Sequence, residues 1–573
     1  MLRPLRLASR RLVSNTEAKL TRAGPLKALR ACRYSSTSPP TGSHSRLPLL
    51  AFAAGSILSG SIGYYLANRS SDSALDELAQ LTLHPASTDS GLNERYGTPA
   101  DFREAIEELK RSFPDEDTVT TDSDDLEVHG NSENDYHPGS LPSVVVFPRS
   151  TEDVVKIVKI SRKYRMPVIP YSGATSLEGH YRAPASGSIC VDMSHMDKIL
   201  EIHEADSDLV CQPGARWMDI NAMLKQKGIP LFFPLDPAPG ATIGGMVSTG
   251  CSGTNAVRYG TAKAEWFLNL TVVLPNGEVI KTRRRSRKSS AGFDTTKLFV
   301  GAEGTLGIIT EVTIRLAPLL PTNVAVCHFP DVKKATEAVS EIMNQGVGIQ
   351  CVELVDDDFM RSTNLFGMSQ RKWPEKDSLF FKFQGPTPTA LKETARIVRA
   401  VSERHGGFGF TLAASEKEAN DLWADRKNAL YSGLALVEGC KGWSTDVCVP
   451  VSQDIAQSGI VSTIVGHVGD GNFHALLLFK TDEELAIIRD LVHRMVERAI
   501  DMDGTCTGEH GVGIGKREYL YDELGAGTVE LMKTIKRTLD PLNLFNPGKL
   551  YPSKPETEPH LVASTPRASE STR

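Results

Sequence analysis

From about residue 100 onward, short apolar runs alternate with helical periodicities. The β-branched run 144–147 reads as a strand. In 151–165, Val154, Val155, Ile157, Val158 and Ile160 supply the apolar positions of a helix. Short strands follow at 168–170 and 189–193, and 269–274 and 278–281 pair as a hairpin through Pro275-Asn276-Gly277. Beyond residue 320 the alternation resumes, with helices expected at 333–344, 390–404 and 528–539, and one more at 101–112. The pattern predicts an α+β fold. The acidic runs at 115–117 and 122–125 read as solvated loop. Nothing repeats internally.

The N-terminal pattern differs. Residues 47–67 carry no charge, and at ~1.5 Å per residue they just span a ~30 Å hydrocarbon layer, so one transmembrane helix is expected there. Residues 1–34 are Arg-rich and almost acid-free, which predicts a mitochondrial transit peptide. Residues 1–46 hold ten bases and one acid, leaving 54 bases against 69 acids in the remainder. Basic residues stay on the matrix side. The expected placement is therefore an inner-membrane anchor with an acidic body facing the intermembrane space. That charge excludes nucleic acid as a partner and suits a basic partner protein. Residues 552–573 read as a disordered tail. Nine scattered cysteines without a C-x-x-C pair predict buried thiols rather than a disulfide framework.

Three glycine-rich segments bring backbone close to a nucleotide. The first is Pro170-Tyr-Ser-Gly-Ala-Thr-Ser-Leu-Glu-Gly179, where a strand stops and successive N–H groups and hydroxyls are exposed. The second runs over 233–260, and the third is Gly301-Ala-Glu-Gly-Thr-Leu-Gly-Ile-Ile-Thr310. Each taken alone is more often turns than a ligand site. A P-loop is excluded, because Gly515-Lys516 precedes Arg517 rather than Ser or Thr.

Histidines gather in other glycine turns. Gly466-His-Val-Gly-Asp-Gly-Asn-Phe-His474 lies between two apolar runs and predicts a hairpin with His467 and His474 flanking the turn. Thr507-Gly-Glu-His-Gly-Val-Gly-Ile-Gly515 adds Glu509 and His510. Two imidazoles and one carboxylate suit Zn²⁺ or Mn²⁺ acting as a Lewis acid, with His510 as a general base. The open alternative is that each histidine is an isolated hydrogen-bonded residue.

In this order the three glycine-rich segments resemble the PCMH-type FAD-binding domain of the vanillyl-alcohol-oxidase superfamily. The histidine motifs, Ser444-Thr-Asp-Val-Cys-Val-Pro450 and Asn543-Leu-Phe-Asn-Pro-Gly-Lys549 resemble the FAD-linked 2-hydroxy-acid dehydrogenases. The resemblance implies an FAD-binding domain over 138–319 and an α+β substrate (cap) domain with a C-terminal helical segment over 320–551. It implies dissociable FAD cradled by Ser172, Gly173, Ala174, Thr175 and Ser176. Further contacts would come from Pro234, Asp236, Thr242, Gly245, Thr249, Gly253, Ala256, Gly307, Ile309 and Asn546. His467, His474 and Glu509 would hold the divalent metal, His510 would be the base, and Arg426 would pair with the substrate carboxylate. The implied reaction is oxidation of D-lactate to pyruvate, with cytochrome c as electron acceptor. D-2-hydroxyglutarate is the alternative substrate. One departure stands out: residues 452–459 replace a full helix expected between strands at 447–451 and 460–465. A catalytically inactive anchored flavoprotein scaffold is the alternative that this departure raises.

Overall fold

The computed structural model describes residues 92, 94–132, 135–447 and 460–553. All belong to one compact unit, Ala86–Arg573. The expected transit peptide, the 47–67 span and the 452–459 connection lie outside the described residues. So does the expected tail from residue 554 on. Among the described residues no helix is long and apolar enough to cross a membrane.

Helix Pro99–Ser112 starts with a capping box, in which Thr98 and Asp101 satisfy each other's backbone N–H groups. Phe102, Ala105 and Leu109 form its buried stripe. Helix Thr151–Tyr164 is capped by Ser150 and ends where Arg165 turns left-handed. Beneath these helices lies a four-stranded sheet in the order Val119–Thr120, Val144–Val146, Ile189–Asp192, Val168–Tyr171. Its last three strands are parallel, and they read as unbroken apolar runs because both faces are covered. The first glycine-rich segment leaves the carboxyl end of Val168–Tyr171, where ligands of parallel sheets bind.

A five-stranded antiparallel sheet follows, in the order Ile199–His203, Asp208–Cys211, Ile308–Arg315, Phe267–Val273, Val279–Lys281. The expected hairpin is present, with Gly277 at φ 84° in its turn. The third sheet has seven antiparallel strands, in the order Phe408–Leu412, Thr322–His328, Ser378–Gln384, Ile349–Val355, Ser462–His467, Asn472–Phe479, Lys441–Ser444. Helices Val332–Asn344 and Pro388–Arg404 bury Ala338, Ile342, Val398 and Val401 into one core with this sheet.

Two expectations need correction. Asp122–Asp125 is not a loop: Asp122 caps helix Ser123–Gly130, whose first turn favours the acids that follow. The last helix begins at Leu520 and kinks at Gly525, rather than starting at residue 528. Of the strand expected at 447–451, Val447 makes only an isolated bridge to Phe473, and residues 448–451 lie outside the described residues. The C-terminal stretch returns to the first sheet. Phe545 bridges Val168 in parallel, and Leu544 and Phe545 sit in the core of the first sheet. Six of the seven described cysteines are buried thiols, as expected; Cys440 is half-buried.

Candidate active site

The first and second glycine-rich segments meet through side chains as well as backbone. Ser172 and Thr242 hydroxyls lie 2.8 Å apart, and Thr242 caps helix Ile243–Thr249 by accepting from the Gly245 amide. A Cβ on Gly173 would stand 2.9 Å from the Gly240 carbonyl oxygen, so only glycine permits this approach. In the third segment a Cβ on Gly307 would strike Val272 at 2.5 Å. The result is a cleft lined by small and hydroxylated residues, with an apolar floor.

Ser172, Gly173, Ala174, Thr175, Ser176, Thr242, Gly245, Thr249, Gly307, Ile309 and Asn546 all line it. Pro234, Asp236, Gly253 and Ala256 do not. They brace the second segment instead: the Asp236 carboxylate accepts from Thr254 Oγ1 and the Asn255 amide, and the Pro234 carbonyl accepts from Asn255 Nδ2. Gly253 packs on Asp236, where a Cβ would come within 2.7 Å of its carbonyl carbon. Ala256 starts the short helix after them.

Glu509 and His510 close one end of the cleft. On the neighbouring hairpin His474 pairs with Val465, two residues before His467, so both imidazoles leave one face, with ring centroids 5.3 Å apart. Each donates outward from Nδ1. His467 Nδ1 lies 2.9 and 3.0 Å from the two Glu353 oxygens, and His474 Nδ1 lies 2.8 Å from the Thr445 carbonyl. Both Nε2 lone pairs are thereby left for one point. Glu509 Oε1 stands 3.3 Å from His467 Nε2 and 3.1 Å from His474 Nε2. Glu509 Oε2 is buried and accepts no hydrogen bond. These three donors lie within 4.8 Å of one another, with the outer partners that metal-binding histidines require. A divalent ion fits the set. A second cluster, Asp446, His474 and His510, is equally compact. It fits a metal less well, because the Asp446 oxygens already accept from Thr507 Oγ1, the Glu509 and His510 amides, and Asn472 Nδ2.

Burial opposes charge throughout this end. It would raise Glu509, yet His467 and His474 hold its carboxyl well below the usual range. It would lower His467, yet Glu353 and Glu509 hold that imidazole well above its ordinary value, so a divalent ion at this point would displace the Nε2 proton. His510 is also raised against its burial, chiefly by Asp446 and Glu178. Its ring stacks on His474 at 5.1 Å, and Nδ1 lies 3.8 Å from Glu178 with no hydrogen bond. Arg426 is buried on helix Glu416–Lys427, where Nη2 pairs with Glu353 and Nε has no partner. It does not line the cleft.

Sequence reasoning missed four acids. Glu353 interrupts an apolar strand, and a charge there needs a buried partner, which was the available signal. Asp446 sits inside the quoted Ser444–Pro450 motif. Glu178 and Glu303 sit inside the first and third glycine-rich segments. Glu303, at φ 53°, accepts from the Val512 and Gly513 amides and so ties the cleft to the His510 loop.

The FAD binding domain family matches residues 142–283, and the family of FAD linked oxidases, C-terminal domain, matches residues 321–550. The fold is shared with a p-cresol methylhydroxylase crystal structure at a TM-score of 0.64 and 16% identity, covering 81% of this chain and 99% of that one. The two family matches define an FAD-dependent oxidoreductase. The chain is 44% identical over 464 residues to the mitochondrial D-lactate dehydrogenase [cytochrome] of Arabidopsis thaliana, covering 78% of this chain and 80% of the relative. It is 42% identical over 480 residues to D-lactate dehydrogenase [cytochrome] 1, mitochondrial, of Saccharomyces cerevisiae, covering 80% and 81%. The chain belongs to the family of mitochondrial, cytochrome-linked D-lactate dehydrogenases.

Proposed function

We propose that the chain oxidises D-lactate to pyruvate with dissociable FAD and passes the electrons to cytochrome c. The observation that carries this reading is the convergence of His467 Nε2, His474 Nε2 and Glu509 Oε1 beside His510, at one end of the cleft. When bound, FAD supplies the two-electron acceptor, and a divalent ion, Zn²⁺ or Mn²⁺, supplies the Lewis acid.

The chain's own residues do the rest. Ser172 to Ser176 present hydroxyls and amides to the FAD pyrophosphate, and Thr242, Gly245 and Thr249 line the way toward the ring. Pro234, Asp236, Gly253 and Ala256 support that wall from behind. Glu353 and the Thr445 carbonyl fix the two metal-facing imidazoles in the Nε2-free tautomer. Asp446 holds the backbone of Glu509 and His510 in place. His510 takes the proton of the substrate hydroxyl. Arg426 lies behind Glu353 rather than on the cleft wall, and its Nη2 steadies Glu353 against His467.

The N-terminal reading belongs to the same proposal. Residues 1–34 direct the chain to the mitochondrion, and 47–67 anchor it in the inner membrane. The acidic body faces the intermembrane space, where a basic cytochrome meets it. The test is a steady-state panel with an artificial acceptor. D-Lactate should exceed L-lactate and D-2-hydroxyglutarate in kcat/KM by at least about tenfold, the effect of one well-placed contact worth ~1.4 kcal/mol. Equal turnover of D-2-hydroxyglutarate would replace the substrate assignment.

A further inference from the structure

We propose that the loop 282–294 rests on the surface of an anionic phospholipid bilayer, with Arg284 and Lys288 on the headgroup phosphates and the Phe293 ring just beneath them. The inference is independent of the cleft, which none of these residues lines. It is also independent of the 47–67 span, because an apolar helix crosses neutral and anionic bilayers alike.

The loop joins strand Val279–Lys281 to the helical turn Thr295–Leu298. Residues 279–293 hold Lys281, Arg283, Arg284, Arg285, Arg287 and Lys288 and no acid, in a body whose acids outnumber its bases. Both ends are fastened. Thr282 Oγ1 lies 2.8 Å from Thr296 Oγ1, and Asp294 caps the turn by accepting from the Thr296 amide. Three arginines hold the loop's shape. Arg285 Nη1 stands 2.8 Å from both Asp206 and Asp208, Arg287 donates to the Asp206 carbonyl, and Arg283 donates to the Ser286 carbonyl. The other three cations, Lys281, Arg284 and Lys288, are exposed and form no ion pair with a described residue.

Phe293 is 78% exposed, within the fully exposed run 286–294, where Gly292 at φ 76° turns the chain. A lone exposed apolar residue is ordinary. One set in a fastened, acid-free loop beside unpaired cations matches the pattern of an interfacial anchor. An anionic bilayer satisfies both parts at once: its phosphates pair with the cations, and the boundary with the acyl chains takes the ring. The basic cytochrome proposed as electron acceptor is repelled by the same charges. The acidic remainder of the body is repelled by the phosphates, so this loop sets which face meets the bilayer.

The experiment uses the full chain carrying Phe293→Trp, an exposed replacement that leaves the core untouched. Wild-type protein is measured in parallel, so that native tryptophan emission can be subtracted. Both are reconstituted with vesicles of phosphatidylcholine bearing brominated acyl chains, alone or mixed with an equal part of phosphatidylglycerol. Each surface cation favours contact about fivefold, so the added emission should be quenched at least about twofold more strongly with phosphatidylglycerol than without it. High salt should remove the difference by screening. Adding Arg284→Gln and Lys288→Gln to the tryptophan variant should bring the quenching down to the phosphatidylcholine level. Equal quenching in the two vesicle types overturns the inference, as does quenching that the glutamine substitutions leave untouched. No quenching in either vesicle type would assign the loop to an acidic protein partner and overturns the inference as well.

Discussion

The two ends of the cleft are built from opposite materials. At the Ser172–Ser176 end the walls are glycines, hydroxyls and backbone, with side chains such as Ser172 and Thr242 joined by neutral hydrogen bonds. At the His510 end, Glu178, Glu353, Asp446, Glu509, His467 and Lys516 are packed against one another, with only Glu509 keeping an appreciable share of its surface open. The first end needs shape: close approach of backbone to a long ligand, which any bulky side chain would block. The second needs field: each charge is costly to bury and persists because its neighbours oppose it. A binding surface tolerates replacement piece by piece, whereas an ionic network fails as a unit.

The largest effect is therefore expected at the charged end. His510→Ala should lower turnover with D-lactate by about 10²–10⁴-fold, the span of a general base. Flavin content should stay at the wild-type level, since the opposite end does the holding. Loss of FAD in that variant would break the division of labour. Next comes Glu353→Gln, which removes the carboxylate from His467 Nδ1 and leaves Arg426 without its partner. Metal affinity should fall about 10–100-fold, as for other outer-shell partners, measured by competition with a chelator. Unchanged affinity would mean that Glu353 only balances Arg426.

The smallest effect concerns a buried charge outside the network. Lys549 donates to the carbonyls of Arg182 and Pro547, and burial, assisted by Arg517, pushes its ammonium down to about 7. An unfolded chain keeps that proton up to about 10.4. Between these values the unfolded state binds more protons, so the native state gains stability as pH rises from about 7 toward 10. Lys549→Met should flatten this slope: its urea midpoint should lose less than wild type's between pH 9 and pH 7. A parallel pair of curves would contradict the assignment.

The same contrast explains what the sequence shows. The neutral end was legible, because Ser172–Ser176 and Gly307 must be small wherever backbone touches a ligand. Legibility failed inside the long 233–260 run, where Thr242, Gly245 and Thr249 line the cleft but Pro234, Asp236, Gly253 and Ala256 fold the run upon itself. Small residues serve both purposes, and composition does not separate them. At the charged end His467, His474, Glu509 and His510 stood out in glycine turns. Their supports did not. Glu353 is 114 residues from His467, and Asp446 is 63 from Glu509, so only the folded chain brings them together. Asn546 crosses back to the first sheet by pairing at Val168, which no local pattern announces.

The account stands or falls on the two ends acting on one substrate. The direct measurement is an anaerobic flavin spectrum of the purified chain, taken with D- and then L-lactate, before and after chelation. D-Lactate should bleach the yellow band and L-lactate should not. Chelation should abolish the bleaching, and Zn²⁺ or Mn²⁺ should restore it. Bleaching by D-lactate that persists after all divalent metal has been removed would contradict it.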